Sequence, residues 1–511
     1  MLRHTPLPAR QPVSTGRPKR QHVQFMVEPL TQQPNAQAEG PRASHAVILT
    51  AAQLARGLSR LVFILIAARL LGPWRFGVYA LLLAWLEMLA VASGSGYADY
   101  LTREAARDAR AGWGLAAQLI GLRLVCVAPL AALGLGLLWG LDYPRPALIA
   151  AAWLSLSLIP RAASEAIQGV LRGIGRYVPY LAVEVAFDLG LLGAAAWLLA
   201  EGGSLAAVIA AEVMAAAAAA VAGLAFAHRF RTPQRLYLKP AELLKKSAIF
   251  NVYAFVGNLY DRLDVVLLSK LAGDYATGIY SVAYRPLGTI QLVPYGVLYS
   301  LLPALARNAG GRDERQRLER TMGFLLSAAF AVVLATMVFA APAVHFLLGE
   351  RFAESAAALK ILIWAVILRF VNYGLNVRLL AGGHERVFVA TSLVCLGANV
   401  LGNVLLIPTY SWRAAAALTI ATEAVLFAQN LYWLRRTTGG IPRPLRWVQT
   451  SAAFVVVLAA SLAAGKLAPP LAAGSAGIVV FLMYLFRQGM VREFAAVWSA
   501  ARKPVLGASH S

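Results

Sequence analysis

Arg69-Leu70-Leu71-Gly72-Pro73-Trp74-Arg75-Phe76-Gly77-Val78-Tyr79 aligns without a gap on Lys270-Leu271-Ala272-Gly273-Asp274-Tyr275-Ala276-Thr277-Gly278-Ile279-Tyr280, 201 residues later. Each copy joins two long apolar segments. The repeated unit is therefore a helical hairpin and, by extension, the half-molecule that contains it. Transporters are commonly built from two copies of a membrane bundle.

The surrounding sequence agrees with a membrane bundle. Of 511 residues, 59% are hydrophobic and 14% charged, against about a quarter charged in a typical globular domain. About fourteen apolar blocks between 45 and 487 are long enough to cross a hydrocarbon core of about 30 Å at about 1.5 Å per residue. The expected fold is an all-α polytopic membrane protein of about 14 transmembrane helices. The offset carries the hairpin 45–100 onto the seventh and eighth helices, giving lobes at 45–230 and 244–436 and two additional helices at 446–487. Six helices per lobe is an even number, so both copies share one orientation, related by an axis along the membrane normal. The basic linker 229–244, with Pro233 and Pro240, is the expected boundary.

A net charge of +23 raises the question of nucleic acid. The distribution of charge answers it. With the N-terminus cytoplasmic, inner segments hold 32 of the 47 Lys and Arg, and outer loops hold 8. Such a bias over short loops sets membrane orientation and attracts anionic lipid, so no nucleic-acid partner is expected. An even helix count returns the C-terminus to the cytoplasm. Residues 1–44 are polar and lack the apolar core of a cleaved leader, which predicts a disordered cytoplasmic tail, and 488–511 are expected to be a cytoplasmic tail as well. Cys126 and Cys395 lie far apart within apolar blocks and read as small packing residues.

Seven arginines fall inside the expected spans: Arg56, Arg60, Arg123, Arg161, Arg262, Arg285 and Arg369. Each costs about 2.5–3.5 kcal/mol at a helix centre, so they must face water, one another or an anionic ligand. Helical spacing gathers them with other polar groups: Gln53 with Arg56 and Arg60; Arg161, Glu165, Gln168 and Arg172; Tyr177, Tyr180, Glu184 and Asp188; Asn251, Asn258, Asp261 and Arg262; Arg369, Asn372, Tyr373 and Asn376. Polar stripes on several helices are hidden from lipid by turning them inward, which predicts a wet, largely cationic cavity between the lobes. Within it, Arg161 and Glu165 are spaced to neutralise one another, Arg56 is near enough to the inner edge to snorkel, and Arg262 neighbours Asp261 and Asp264. Arg60, Arg123 and Arg369 lack an acid one turn away and are the stronger ligand candidates. Guanidinium groups suit phosphate or pyrophosphate because they stay charged and bind two oxygens at once. The acids Glu184, Asp188, Asp261 and Asp264 serve either a coupling proton or sodium ion or simple charge balance. Tyr177, Tyr180, Tyr260, Tyr284 and Tyr295 suit either a sugar path or an interfacial belt.

The repeated phrase, Asp261-Arg262-Leu263-Asp264 leading to Gly278-Ile279-Tyr280, Leu302-Pro303-Ala304-Leu305-Ala306, and Asn403-Val404-Leu405-Leu406-Ile407-Pro408 before Ala414-Ala415-Ala416 resemble polysaccharide-biosynthesis flippases of the O-antigen type. These belong to the multidrug/oligosaccharidyl-lipid/polysaccharide exporter superfamily. The resemblance implies two lobes that rock between inward- and outward-open states in a bacterial inner membrane. They would carry an undecaprenyl-pyrophosphate-linked oligosaccharide, of lipopolysaccharide or exopolysaccharide, from the cytoplasmic to the periplasmic leaflet. It implies that Arg60, Arg123, Arg161, Arg262, Arg285 and Arg369 hold the pyrophosphate. Gly72, Gly77, Gly273 and Gly278 would form tight periplasmic turns on which each hairpin pivots. Expected partners are the lipid-linked oligosaccharide, the bilayer, and glycan polymerase and assembly proteins; no cofactor beyond a proton or sodium gradient is implied.

A lipid II flippase and an ion-coupled multidrug exporter of the same superfamily are the alternatives, the latter disfavoured by the arginines. An enzyme is disfavoured because the outer loops are short and the seven His show no metal-ligand spacing.

Overall fold

The computed structural model describes residues 43–94, 96–200, 202–230, 240–294, 312–382, 384–438, 445–465 and 469–487. The tail at 1–42, most of the basic linker, Tyr295, the Leu302–Ala306 motif, residues 307–311 and the C-terminal tail lie outside the described residues.

The chain is helical throughout the described residues. In order, the helices are α1 (Ala43–Ala92), α2 (Tyr97–Arg107), α3 (Ala109–Gly140), α4 (Arg145–Ser155), α5 (Leu158–Gly173), α6 (Tyr177–Ala200), α7 (Leu205–Phe230) and α8 (Pro240–Ile290). They continue as α9 (Arg312–Leu348), α10 (Ala353–Leu362), α11 (Ala365–Ala381), α12 (Glu385–Tyr410), α13 (Trp412–Thr438), α14 (Leu445–Ala464) and α15 (Pro470–Arg487). Local chemistry sets the starts. The Asp108 carboxylate accepts the Arg110 N–H at 2.8 Å to cap α3, and Ser204 Oγ accepts the Ala207 N–H at 3.1 Å to cap α7. Pro144 caps α4, and Pro146 follows in its first turn, where a missing N–H costs nothing.

The protein is a multi-pass membrane bundle. Among the described residues, nine helical stretches are long and apolar enough to cross a bilayer. Its surface is the reverse of a soluble protein's: Val125 and Val178 are more than 70% exposed while Arg123 and Arg369 are buried. Lipid is the solvent for such a surface. Small residues let the helices approach, as along α7, where Ala211, Ala215, Ala216 and Ala219 are buried. The last two helices dock on the C-terminal half. Phe454 of α14 stacks on Phe330 at 4.3 Å and meets Trp364 and Phe481 edge-on.

The two copies of the repeated phrase meet. α1 and α8 each break at a glycine, Gly72 (φ 71°, ψ 169°) and Gly273 (φ 83°, ψ 176°), a conformation that a Cβ would strain. Each long helix is thereby two legs of a hairpin, and α1 against α8 is the most extensive helix pairing among the described residues. Gly77 and Gly278, expected to be turn glycines like the other two, are instead inside regular helix and serve close approach. A Cβ on Gly77 would lie 1.8 Å from the Asp274 carbonyl oxygen, and one on Gly278 would lie 2.0 Å from that of Pro73. The contacts are reciprocal under the 201-residue offset. So are their neighbours: the rings of Trp74 and Tyr275 touch at 5.4 Å. Arg69 donates to Phe346 O at 3.2 Å in the last turn of α9, and Lys270 donates to Leu141 O just past the end of α3. A basic group at a helix C-terminus satisfies orphan carbonyls and opposes the dipole. Each copy thus clasps the opposite half of the molecule.

Candidate functional site

Beyond this clasp, toward the chain's N-terminal end, the halves part around a cavity of about 260 Å³. It lies between the first leg of α1 and both legs of α8, with Arg56, Arg60, Asp261, Arg262, Tyr284 and Arg285 in its wall. Arg60 is twelve residues before Gly72, Arg262 eleven before Gly273 and Arg285 twelve after it. At about 1.5 Å per residue these groups sit some 18 Å from the clasp, close to the mid-depth of a bilayer. The wall carries four guanidinium groups and one carboxylate, and two of the four, Arg60 and Arg285, are what leave it cationic once the pairs below are counted.

The arginines differ in what already holds them. Arg56 does not snorkel: its guanidinium pairs with Glu184 at 2.6 Å and approaches Asp188 at 3.8 Å, both from α6. Arg262 pairs with Glu87 from the second leg of α1, which ties the C-terminal half to the N-terminal half. Arg60 and Arg285 make no ion pair among the described residues. Arg60 lies over the Phe187 ring at 5.2 Å, and Arg161 lies over the same ring at 5.5 Å.

Arg123, Arg161 and Arg369 are absent from the cavity wall, a correction to the expected arrangement. Arg123 pairs with Glu165 at 2.8 Å, so Glu165 answers a neighbouring helix rather than Arg161 one turn back. Arg161 reaches Glu212 of α7 at 3.3 Å, and Tyr79 OH donates to the same carboxylate at 2.7 Å. In the other half, Arg369 pairs with Glu423 of α13 at 2.7 Å and donates to Tyr284 OH at 2.8 Å, while Asn372 donates to Glu423 at 3.0 Å. Both halves therefore pair an arginine on the fourth pass with a glutamate on the sixth and add a second-pass tyrosine, which donates to the glutamate in the first half (Tyr79) and accepts from the arginine in the second (Tyr284). The offset counterpart of Tyr79, Tyr280, donates instead to Asp264. A charge buried away from the cavity is held by pairing, and breaking such a pair costs about 3–5 kcal/mol.

The acids are dispersed over three places. Glu184 and Asp188 flank Arg56, with Tyr180 OH donating to Glu184 at 2.9 Å. Asp264 is buried, accepting from Tyr280 OH and, at 2.8 Å, from the Val265 N–H. Asp261 is exposed in the cavity. Of the tyrosines, Tyr284 lines the wall and Tyr180 serves Glu184. Among the described residues no group of three or more His, Cys, Asp or Glu is placed to hold a metal ion.

Sequence reasoning missed Glu87, Glu212 and Glu423. Each is a lone acid in an apolar helix, and that isolation was the available signal: a carboxylate with no partner on its own helix needs one on another.

A cationic cavity thus lies between two repeated halves of a helical bundle. Solved structures share the architecture. An inward-facing multidrug-resistance transporter of the MATE family superposes with a TM-score of 0.61 at 15% identity, over 76% of this chain and 98% of that one. The lipid II flippase MurJ, in an inward closed conformation, gives 0.66 at 12% identity, over 87% and 99%. An outward-facing MATE transporter gives 0.54 at 15% identity, over 78% and 97%. No curated protein matches the sequence. Residues 43–309 match the model of the polysaccharide biosynthesis protein family, and the chain belongs to that family.

Proposed function

We propose that this protein flips an undecaprenyl-pyrophosphate-linked oligosaccharide from the cytoplasmic to the periplasmic leaflet of a bacterial inner membrane. The observation that carries the proposal is the pair Arg60 and Arg285, exposed to a mid-depth cavity with no carboxylate of their own and flanked by Arg262. Family membership supports a role in polysaccharide synthesis, and the fold shared with a lipid II flippase supports lipid-linked cargo. With the N-terminus cytoplasmic, as the charge bias argues, the clasp closes the periplasmic end and the cavity occupies the cytoplasmic half. This is the arrangement that loads cargo.

Transport, not bond chemistry, is the assigned activity. The pyrophosphate would bridge Arg60 and Arg285, each worth about 1.5–3 kcal/mol as a charge-assisted contact. The prenyl tail would stay in lipid between the halves, and the glycan would fill the wet interior. Rocking of the halves then opens the clasp and closes the cytoplasmic side. Glu184, Asp188, Asp261 and Asp264 are the acids through which a proton or sodium gradient would drive the cycle. Glycan polymerase and assembly proteins would take up the delivered cargo.

The test is a deletion strain in which the surface glycan and the leaflet holding lipid-linked repeat units are both measured. Loss of one surface polysaccharide with repeat units trapped on the cytoplasmic side supports flipping and identifies the glycan. Trapped lipid II would reassign the cargo, and intact glycans with new sensitivity to cationic drugs would overturn the proposal.

A further inference from the structure

The Glu87–Arg262 pair spans the two halves at the wall of the cavity. We infer that Glu87 is an internal counter-anion which an entering phosphate group displaces from Arg262, so that loading the cavity releases one half from the other. The inference rests on the anion-binding role proposed for the cavity.

Three features converge on this exchange. First, Arg262 is the wall arginine whose carboxylate comes from the opposite half; the carboxylates that meet Arg56 among the described residues, Glu184 and Asp188, are in its own half. Taking Arg262 from Glu87 therefore removes a bond that rocking must break, whereas taking Arg56 from its partners would not. Second, the Glu87 side chain lies in the combined field of Arg262, Arg285, Arg60 and Arg161. An anion bridging Arg60 and Arg285 enters that same field and repels the carboxylate as it competes for Arg262. A diphosphate diester carries two negative charges against the single charge of Glu87, and a guanidinium binds two phosphate oxygens as readily as a carboxylate. Third, the position equivalent to Glu87 in the second half is Gly288, which lines the cavity wall. The second half therefore has no counterpart of Glu87 at that position; its wall carboxylate, Asp261, lies in the same half as Arg262.

In the unloaded protein the pair holds the halves together at mid-depth, in series with the clasp. With cargo bound, Arg262 turns to the ligand, Glu87 is left without that bond, and opening at the clasp becomes easier. A ligand shifts a conformational equilibrium only as far as it binds the two states differently, and the exchange supplies that difference. Empty cycling is suppressed by the same means.

The experiment uses the purified full-length chain with inorganic pyrophosphate as probe. Binding is measured for the native sequence, Glu87→Gln and Glu87→Asp at fixed ionic strength. In parallel, closure of the clasp is read by cross-linking Trp74→Cys to Tyr275→Cys, with Cys126→Ala and Cys395→Ala. Pyrophosphate is expected to slow cross-linking of the otherwise native chain. Glu87→Gln is expected to bind pyrophosphate about tenfold tighter, to cross-link slowly without ligand, and to show no further slowing with it. Glu87→Asp should fall between the two, which keeps the test decisive if Glu87→Gln does not fold. Equal or weaker binding by both variants overturns the exchange, because a merely structural pair would lose stability without gaining affinity. Ligand slowing that persists in the variants overturns it as well. A native chain that binds no pyrophosphate removes the anion site itself, and the exchange with it.

Discussion

Replacing Gly77 and Gly278 by alanine should unlock the clasp. An alanine Cβ would stand 1.8 Å from the Asp274 carbonyl oxygen and 2.0 Å from that of Pro73. An unstrained carbon–oxygen approach is about 3.3 Å, so each site must open by about 1.3–1.5 Å. Neither obstacle is a side chain that can rotate away; both are backbone at a turn held by a glycine of positive φ. Overpacking of this kind costs about 1–3 kcal/mol per site. In the proposed cycle the two phrases separate when the clasp opens, so the cost falls only on the closed clasp. One substitution should therefore move the closed-to-open ratio by about 5–150-fold, and the pair should move it further. The assay is the rate at which Trp74→Cys and Tyr275→Cys are joined by a short bis-maleimide, with Cys126→Ala and Cys395→Ala. The otherwise native clasp should cross-link readily and stop flipping, and each alanine should slow the cross-link. Gly121→Ala, whose Cβ meets nothing within 4 Å, is the neutral comparison. Unchanged cross-linking and flipping in the Gly77→Ala/Gly278→Ala chain would refute the reciprocal contact as the gate.

Arg60→Ala and Arg285→Ala should each weaken pyrophosphate binding by about 10–100-fold, from the loss of one charged contact, with little change in melting temperature; lysine should rescue only in part if bidentate contact matters. Arg123→Ala should behave oppositely, leaving Glu165 without that pair and lowering stability by about 3–5 kcal/mol, while the double change Arg123→Met/Glu165→Leu recovers most of it in thermal melts. Glu184→Gln and Asp188→Asn should alter the proton or sodium dependence of flipping in vesicles, and an unchanged dependence would return them to service as counter-ions of Arg56. Phe454→Ala should loosen α14 and α15 from α9 by about 3 kcal/mol, read as faster proteolysis of the C-terminal helices.

The bundle was legible because membrane helices advertise themselves one at a time: apolar length marks each pass, and the gapless phrase marks the duplication. Gly72 and Gly273 were legible for the same reason, since a glycine between two apolar runs is a local signal. Gly77 and Gly278 look identical to them in sequence, but what decides their role is the backbone of the other copy, 201 residues away. The arginines divide along the same line. Their depth could be read from position, whereas the carboxylates that hold Arg161, Arg262 and Arg369 come from helices that periodicity cannot rank as neighbours. Glu165 shows the hazard of a purely local rule, because correct spacing from Arg161 did not make it that residue's partner.

The reciprocal contacts of the repeated phrase carry a consequence for symmetry. Two identical halves clasped in this way are a self-complementary dimer, in which every residue occurs twice about one axis. In such a dimer, position 60 would confront a second copy of itself across the cavity, and an arginine there would meet an arginine. The present chain has Arg60 on one side and Asp261 at the equivalent place on the other, as it has Glu87 opposite Gly288. A symmetric dimer of one half could not hold that asymmetry, because each position would carry the same side chain on both sides. The clasp keeps the two-fold relation that the cavity has given up.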